Sequence, residues 1–326
     1  MLFLKELVPV NTIKQPIVLQ RADPWVYLHT DGYYYFTGSV PGYQEIEVRR
    51  ARTLAGLETA ERVAVWHAHS TGLMSQLIWA PEILFLQGKW YIYFAAADQD
   101  GERDAQHHHR MFAIECDEAS PMTTNWIERG QVVTDQDSFS LDATVFEFQQ
   151  ELYYVWAQQD PAIPGNSNLY LQKMANPWTL TGKKLLLSIP EFSWEKIGFS
   201  VNEGPAVLIS HGRVFITFSA SATDENYAVG LLWADEHSDL LDSYSWHKLE
   251  HPVFKSSSKN HLFGPGHNSF TKTPDGQQDV IVYHARPYDN AGIEGDPLDN
   301  PDRHAYAQTF TWDAQGFPVF GEPGDN

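Results

Sequence analysis

The sequence predicts an all-β protein folded as a five-bladed β-propeller. Five strand-turn-strand units of similar sequence recur along its 326 residues, and no segment has the 3.6-residue apolar period of an amphipathic helix. The units lie roughly 55 to 65 residues apart, which suits four-stranded blades with long loops because propeller repeats usually run about 40–50 residues. A β-sandwich is the alternative, but it gives no reason for five similar pairs at near-even spacing.

Each unit joins two strands rich in aromatic and β-branched residues through a short turn. The units begin at Arg21, Trp79, Leu141, Asn202 and Gly264. Their turns centre near Gly32, Gly88, Gln150, Gly212 and Gln278. We therefore expect a single domain over residues 1–326, closed by pairing between segments near the two termini.

The composition limits the partners of the protein. Hydrophobic residues make up 43% of the chain, enough for a large core. Lys and Arg number 22 against 42 Asp and Glu, which gives a net charge of −20. Such a field repels nucleic-acid phosphates and anionic lipids, so we expect no nucleic-acid partner and no membrane partner. A neutral ligand suits this charge better than a polyanion, and oligomer formation stays open.

The sequence also bears on location. Residues 1–20 contain a short apolar run that is broken by Lys5 and Glu6 and lack a secretory signal pattern. Cys116 is the only cysteine, so an intramolecular disulfide is impossible, and we expect its side chain to be packed and inert. The simplest expectation is a cytoplasmic protein, and a secreted protein that has lost its signal is the alternative.

Acidic residues stand at related places in the repeats. Asp23, Glu82, Asp142 and Glu203 open the first strand of the first four units, and His267 with Asn268 holds that place in the fifth. If the units are radially arranged blades, these side chains converge near one end of the central axis. Converging carboxylates raise one another's pKa values, which suits acid catalysis. Each acid taken singly has a structural alternative as a turn or loop residue.

Six segments, taken in order, resemble glycoside hydrolase family 43 along nearly the whole chain. They are Arg21-Ala22-Asp23-Pro24, Trp79-Ala80-Pro81-Glu82, Leu141-Asp142-Ala143-Thr144, Val201-Asn202-Glu203-Gly204-Pro205, Gly264-Pro265-Gly266-His267-Asn268-Ser269-Phe270 and Tyr283-His284-Ala285-Arg286. The resemblance implies an inverting glycosidase with Asp23 as general base, Asp142 as pKa modulator and Glu203 as general acid. Inversion predicts that the base and acid carboxyls are about 6.5–9.5 Å apart.

Further stretches are similar to the branch of the family that contains exo-acting α-1,5-L-arabinofuranosidases. They are residues 34–41, 164–170 and 295–297. This likeness implies release of terminal L-arabinofuranose from arabinan or arabino-oligosaccharides, a neutral substrate. A β-D-xylosidase and a non-catalytic sugar-binding propeller are the alternatives. A binding module has no need of three convergent acids, which counts against the second.

The resemblance also suggests residues around the catalytic acids. Arg286 is expected to bind a sugar hydroxyl, with a structural ion pair as the alternative, and Trp79 and Phe36 are expected to floor the sugar pocket, with ordinary core packing as the alternative. His267 is expected to lie near an axial ion, calcium or sodium, although a buried hydrogen-bonding histidine explains it nearly as well. No cofactor is expected to be required for the chemistry. Glu82 is interpreted as structural, or as a residue that supports the catalytic acids without acting as acid or base.

A run of three histidines, His107-His108-His109, invites comparison with a metal site. It lies in a loop of charged and polar residues between Gln99 and Arg110. We therefore expect an exposed loop near the mouth of the pocket instead.

Overall fold

A computed structural model describes residues 15–98 and 108–325. Within these ranges, twenty β-strands form five four-stranded antiparallel sheets. In every sheet the strand order follows the chain. The predicted five-bladed β-propeller is confirmed.

The strands of the first two blades are β1 (Ala22–Leu28), β2 (Tyr34–Ser39), β3 (Glu45–Ala51) and β4 (Arg62–His67), then β5 (Gln76–Leu86), β6 (Lys89–Ala97), β7 (Arg110–Cys116) and β8 (Ile127–Gln131). The third blade comprises β9 (Ser140–Phe148), β10 (Glu151–Gln158), β11 (Asn168–Asn176) and β12 (Thr179–Ser188). The last two comprise β13 (Asn202–Ser210), β14 (Arg213–Ala220), β15 (Ala228–Asp235) and β16 (His247–Lys248), then β17 (Phe263–Lys272), β18 (Asp279–Arg286), β19 (His304–Trp312) and β20 (Pro318–Val319). Short 3-10 helices lie at Leu54–Leu57, Ser193–Glu195, Ser243–Ser245 and Asn290–Gly292.

The five units found in the sequence are the inner hairpins of the blades. Strands β1, β5, β9, β13 and β17 each pair with the strand that follows. Each of these first strands also contacts the first strands of the two neighbouring blades, so the five surround the central axis. Side chains at the same end of these strands therefore converge from distant parts of the sequence.

The two ends of the described chain meet between the first and last blades. The Ile17 backbone N–H donates to the carbonyl of Ala305, at 2.7 Å, and the Ala305 N–H donates to the carbonyl of Val18, at 2.9 Å. Ile17 and Val18 are fully buried in an apolar cluster shared by blades one and five. This segment therefore closes the ring against β19.

Two further features concern membrane-spanning helices and the cysteine. No helix in the described parts of the chain has the length and apolar character needed to cross a membrane. Cys116 is a buried free thiol at the end of β7, and burial raises its pKa. A buried thiol with a raised pKa is poorly reactive, as expected.

Candidate active site

A backbone irregularity recurs in the innermost strands. Asp23, Ala80, Asp142, Gly204 and His267 have φ angles of 55°, 46°, 50°, 54° and 43°, in the left-handed region. Next to each of them the strand pairing shifts register. Such bulges bend a strand and redirect a side chain, and residues that hold sparsely populated backbone conformations cluster at functional sites.

These angles correct the alignment of the acidic residues. Asp23, Asp142 and His267 occupy the equivalent left-handed position, which Ala80 and Gly204 fill in the other two blades. Glu203 lies one residue before that position, and Glu82 lies two residues after it. The four acids therefore do not share one place in the repeat, although the axis still gathers them.

Asp23, Asp142 and Glu203 line one cavity of about 230 Å³ on the propeller axis. The cavity lining draws on all five blades. Blades five, one and two contribute Tyr43, Trp79, Leu298 and Arg303, and Arg303 lies beside Asp23. The third and fourth blades contribute Asn166, Phe199, Val201, Ser221, Thr223 and Tyr227, and Tyr227 contacts Glu203.

Asp23 is held ionised by its neighbours. Its carboxylate accepts a 2.5 Å hydrogen bond from Ser39, and it lies 3.2 Å from Nδ1 of His267 and 3.7 Å from the Arg303 guanidinium. Burial alone would raise the pKa of Asp23, but the positive charges of His267 and Arg303 outweigh burial and hold that pKa well below its usual value. His284 adds no charge, because burial lowers its pKa to about 3 and its Nδ1 accepts the Asp23 backbone N–H at 3.1 Å.

Glu203 is in the opposite state. Burial, reinforced by the negative charge of Asp142, raises the pKa of Glu203 to about 8. The Tyr227 hydroxyl donates a 2.8 Å hydrogen bond to its Oε1, which opposes the rise. Glu203 therefore carries a proton at neutral pH while Asp23 does not.

Asp142 lies between these extremes. Burial raises its pKa to about 6, with a further contribution from the charge of Asp23. Its Oδ2 accepts the backbone N–H of Gly204 at 3.1 Å, directly after Glu203. Asp142 thus acts on Glu203 through charge and through the backbone that positions it.

His267 places a positive charge between two of the carboxyls. Its Nδ1 lies 3.2 Å from Asp23 and 3.8 Å from Asp142. Burial lowers the pKa of His267, but the two carboxylates outweigh burial and raise it to about 10. Its Nε2 is buried and has no hydrogen-bond partner among the described residues.

Glu82 lies on the same axis without reaching the cavity. It is buried, and burial raises its pKa well above the usual value. Neither of its carboxyl oxygens has a hydrogen-bond partner within the described part of the chain. This environment agrees with a structural or supporting role for Glu82, outside the cavity itself.

The family model described as "Glycosyl hydrolases family 43" matches residues 13–318. This chain belongs to glycosyl hydrolase family 43. An "Extracellular exo-alpha-(1->5)-L-arabinofuranosidase" of Streptomyces avermitilis is 49% identical over 97% of this chain and 64% of its own length. An "Alpha-L-arabinofuranosidase 43" of Humicola insolens is 46% identical with the same coverage. The chain thus spans less than two thirds of the length of these two relatives.

Two further comparisons extend over most of both proteins. A crystal structure of "alpha-L-arabinofuranosidase from Lactobacillus brevis" superposes with a TM-score of 0.92 at 56% identity, over 95% of this chain and 96% of that one. A relative from Streptomyces chartreusis is 48% identical over 87% of this chain and 85% of its own length, and it too is named "Extracellular exo-alpha-(1->5)-L-arabinofuranosidase". The expectation of a cytoplasmic protein is contradicted by these two extracellular Streptomyces enzymes.

Two of the expected sugar contacts lie elsewhere in this family 43 chain. Phe36 is fully buried in the cluster between blades one and five, so its expected place in the pocket floor was wrong. Arg286 is also buried, and among the described residues it is not part of the cavity lining. Its guanidinium donates to the Thr223 carbonyl at 2.5 Å, to the Pro297 carbonyl and to Oδ1 of Asn300 at 3.2 Å. Arg286 therefore holds the loops around the cavity in place. Among the described residues it neither lines the cavity as a sugar ligand would nor forms an ion pair.

Trp79 lies in the cavity wall, and its ring stacks on His109 at a centroid distance of 4.0 Å. The Nε2 of His109 is hydrogen-bonded to the Leu77 carbonyl at 2.8 Å, and His109 is fully buried, so the expectation of an exposed loop was wrong for this residue. His108 is exposed and lies 3.3 Å from Asp98. His107 lies outside the described residues. Across the described ranges, no group of three His, Cys, Asp or Glu is arranged to hold a metal ion.

Sequence reasoning missed several residues of the site. Arg303 faces Asp23 and lines the cavity, yet it precedes β19 in a segment outside the inner hairpins. Tyr227, which binds Glu203, lies in the loop before β15 and is equally outside the repeats. The sequence feature related to Tyr227 is the glycine pair in Gly264-Pro265-Gly266. In the structure a Cβ on Gly266 would lie 2.3 Å from the Tyr227 ring, so this glycine makes room for the tyrosine.

Proposed function

We propose that this chain is an inverting, exo-acting α-L-arabinofuranosidase. It releases terminal L-arabinofuranose from α-1,5-linked arabinan or arabino-oligosaccharides. The observation that carries the proposal is the opposite ionisation of two carboxyls in one cavity, with the pKa of Glu203 raised to about 8 and that of Asp23 held well below its usual value. The names of the relatives and of the Lactobacillus brevis structure support the choice of sugar.

The proposed step uses one carboxyl as acid and one as base. Protonated Glu203 gives its proton to the glycosidic oxygen as the bond to the leaving group breaks. Ionised Asp23 takes a proton from a water molecule that attacks the anomeric carbon from the opposite face, so β-L-arabinofuranose is released. Asp142 keeps Glu203 protonated through its negative charge. Ser39 and Arg303 fix the Asp23 carboxylate for this task.

The cavity suits an exo-acting enzyme. Its volume of about 230 Å³ is below the 300–1,000 Å³ typical of sites for drug-sized ligands, so it suits one sugar unit better than an internal stretch of polysaccharide. Trp79 and Phe139 supply flat apolar surface for the CH face of a furanose. The net charge of −20 favours a neutral glycan.

The substrate class is tested by comparing initial rates on an aryl α-L-arabinofuranoside, an aryl β-D-xyloside and linear α-1,5-arabino-oligosaccharides. NMR of the first product identifies the released anomer. Turnover of the arabinosides with inversion is the expected result. Dominant xyloside turnover would transfer the proposal to a β-D-xylosidase, and binding without turnover of any substrate would favour a sugar-binding propeller.

The acid role of Glu203 has a separate test. Glu203→Ala should depress hydrolysis of arabino-oligosaccharides by about 10²–10⁴-fold. An aryl arabinoside with a good leaving group needs little protonation and should lose far less. Equal losses on both substrates would contradict the assignment.

An ion close to His267 is a further proposal. Its support is the unpartnered Nε2 of His267, with the unpartnered Asn268 amide next to it in sequence. The Asn268 amide oxygen alone is a small protein contribution for calcium, which takes six to eight oxygen ligands, so water would supply most of the coordination. Because His267 is protonated, its Nε2–H would donate a hydrogen bond to a water molecule of the ion, and the ion would add positive charge near Asp23 and Asp142. Dialysis against a chelator should then lower the melting temperature, and calcium should restore it.

A further inference from the structure

We propose that Lys248, Glu195 and Asn202 are positioning residues that hold the general acid Glu203 in place for proton transfer to the leaving group. The inference rests on the proposed glycosidase function and extends it to residues outside the cavity. Asn202 directly precedes Glu203 at the start of β13, the innermost strand of blade four. Lys248 lies in β16, the outermost strand of that blade, and Glu195 lies in the connection from blade three. Among the described residues, none of the three lines the cavity.

The Asn202 side chain is fully buried, and all of its hydrogen-bonding groups have partners. Its Nδ2 donates to Oε1 of Glu195 at 3.0 Å and to the Val201 carbonyl at 2.9 Å. Its Oδ1 accepts hydrogen bonds from the Ser188 hydroxyl at 2.7 Å and from Nζ of Lys248 at 3.2 Å. Because both donors and both acceptor positions of the amide are satisfied, these contacts fix one orientation of the side chain next to the general acid.

The backbone is also held on both sides of Glu203. Before it, the Asn202 N–H donates to the Ser167 carbonyl at 3.1 Å, and the Asn202 carbonyl accepts the Ser167 hydroxyl at 3.3 Å. After it, the Gly204 N–H donates to Oδ2 of Asp142 at 3.1 Å. The pairing of β13 with β14 shifts register directly after Glu203, so the regular ladder is interrupted there. The contacts of Asn202 therefore help to determine where the strand places the acid.

A buried ion pair in turn holds Asn202. Nζ of Lys248 lies 2.5 Å from Oε1 of Glu195, and the side chain of Glu195 is fully buried. The other carboxylate oxygen of Glu195 accepts two backbone N–H groups of its own turn, at 2.6 and 2.7 Å. Lys248 also donates to the carbonyl of Ile189, at 2.7 Å. The pair therefore ties the outer strand of blade four to the connection from blade three, and Asn202 is bonded to both charged groups.

Positioning explains the burial of this pair better than stability does. Taking two charges out of water offsets most of their attraction, so a buried ion pair adds little net stability. It does impose a fixed geometry, because each charge must keep its partners. A general acid must lie within about 2.6–3.2 Å of the oxygen that it protonates, and a misplacement of about 1 Å can lower a rate by about 10²-fold. An anchor on the residue before Glu203 therefore acts on proton transfer.

The test compares Lys248→Met with Lys89→Met, which both remove an ammonium group and keep an unbranched side chain. Lys89 is the matched control, because its Nζ lies 2.6 Å from Oε1 of the buried Glu115, in blade two and outside the cavity lining among the described residues. Each variant is assayed well below its unfolding transition, on α-1,5-arabinotriose and on an aryl α-L-arabinofuranoside with a good leaving group.

Lys248→Met should lower kcat on arabinotriose about tenfold, but on the aryl arabinoside by less than about twofold, because that leaving group needs little protonation. Lys89→Met should change neither rate by more than about twofold, because it leaves the contacts around Glu203 intact. Ser188→Ala is a milder variant in case Lys248→Met does not fold, since it removes only the 2.7 Å hydrogen bond to Asn202. It should show the same substrate preference, with a loss of about two- to fivefold on arabinotriose.

The inference is overturned if Lys248→Met or Ser188→Ala affects both substrates equally or affects neither, or if Lys89→Met shows the same substrate preference. Failure of the proposed function gives a different result, because the wild-type protein itself would then hydrolyse neither arabinoside. If the wild-type protein hydrolyses xylosides instead, the same comparison is made with xylobiose and an aryl β-D-xyloside.

Discussion

At the scale of single residues, the proton on Glu203 is controlled by two neighbours that act in opposite directions. Beyond the effect of burial, which is the largest cause of the raised pKa of Glu203, the charge of Asp142 raises that pKa further and the hydroxyl of Tyr227 lowers it by donating a hydrogen bond to the ionised form. Because Glu203 is the proposed general acid, activity falls as the pH rises through its pKa. The basic limb of the pH profile therefore reports on this carboxyl directly.

We predict that Asp142→Asn and Tyr227→Phe move that limb in opposite directions. Asn removes the neighbouring negative charge, so the pKa of Glu203 falls and activity is lost at lower pH than the wild-type value near 8. Phe removes the donor, so the pKa rises further and activity persists to higher pH. The measurement is kcat/KM against pH for an arabino-oligosaccharide; shifts of the same sign would contradict this account of the site.

The three carboxylates could be found from the sequence, because they lie in repeated hairpins that a β-propeller brings to one axis. The misplaced Phe36 shows where this reasoning fails. All six residues of β2 are buried, Thr37 and Ser39 included, so an alternation of apolar and polar residues cannot show which face a side chain is on. Arg303 and Tyr227 come from loops, which no periodicity places in space.

At the scale of elements, the shape of the cavity depends on loops between strands, and Arg286 holds two of these loops in place by hydrogen bonds. Thr223 belongs to the loop after β14, and Pro297 and Asn300 belong to the loop between β18 and β19. Thr223 and Leu298, which line the cavity, are therefore held in part by a residue that does not itself line it among the described residues. Arg286 ends β18, so one strand fixes both loops.

We predict that Arg286→Met raises KM for arabino-oligosaccharides more than it lowers kcat. Met fills similar volume but leaves the part-buried carbonyls of Thr223 and Pro297 without their donor, at a cost below the roughly 1–3 kcal/mol of a fully buried group, so the melting temperature should fall as well. Arg286→Lys keeps the charge but loses the planar guanidinium group. Its KM and its melting temperature should therefore lie between those of the wild-type protein and of Arg286→Met. Kinetics and thermal unfolding measure the effects. A fall in kcat at unchanged KM would instead indicate contact with the reacting sugar.

The sequence predicted the inner hairpins better than the outer strands for a physical reason. Inner hairpins are buried on both sides and carry dense aromatic and β-branched residues, whereas β4, β8 and β16 are short or partly exposed. The bulges were not predicted, because no single residue type marks the left-handed position. It is occupied by Asp, Ala, Gly or His in the different blades. The positions of the bulges therefore became clear only from the backbone angles. The same angles showed that Glu82 and Glu203 lie at different positions relative to the bulge.

At the scale of the whole molecule, five blades form a cavity only if the ring is closed. The closing contact is small: Ile17 and Val18 pair with Ala305 of β19 and fill the apolar cluster between the first and last blades. Asp23 of blade one and His267 of blade five face each other at 3.2 Å across this same junction. Closure of the ring and assembly of the proposed general base are therefore coupled.

We predict that Ile17→Ala combined with Val18→Ala destabilises the protein by roughly 3–6 kcal/mol, because both side chains are fully buried and large-to-small changes in a core leave cavities. Thermal or urea unfolding measures this loss. Leu19→Ala is the matched control, since Leu19 follows directly and is 49% exposed, so its removal should change stability little.

The Ile17→Ala, Val18→Ala double variant also shows whether loss of ring closure has an effect on activity beyond the loss of core volume. Below its unfolding transition it should show a larger fall in kcat than a variant that is equally destabilised in another blade, such as Ile216→Ala, because loosening between blades one and five separates Asp23 from His267 and Arg303. The pKa of Asp23 would then rise toward its usual value, and the acidic limb of the pH profile would move to higher pH. An unchanged acidic limb at equal loss of stability would show that the first blade holds Asp23 in place without the closing segment.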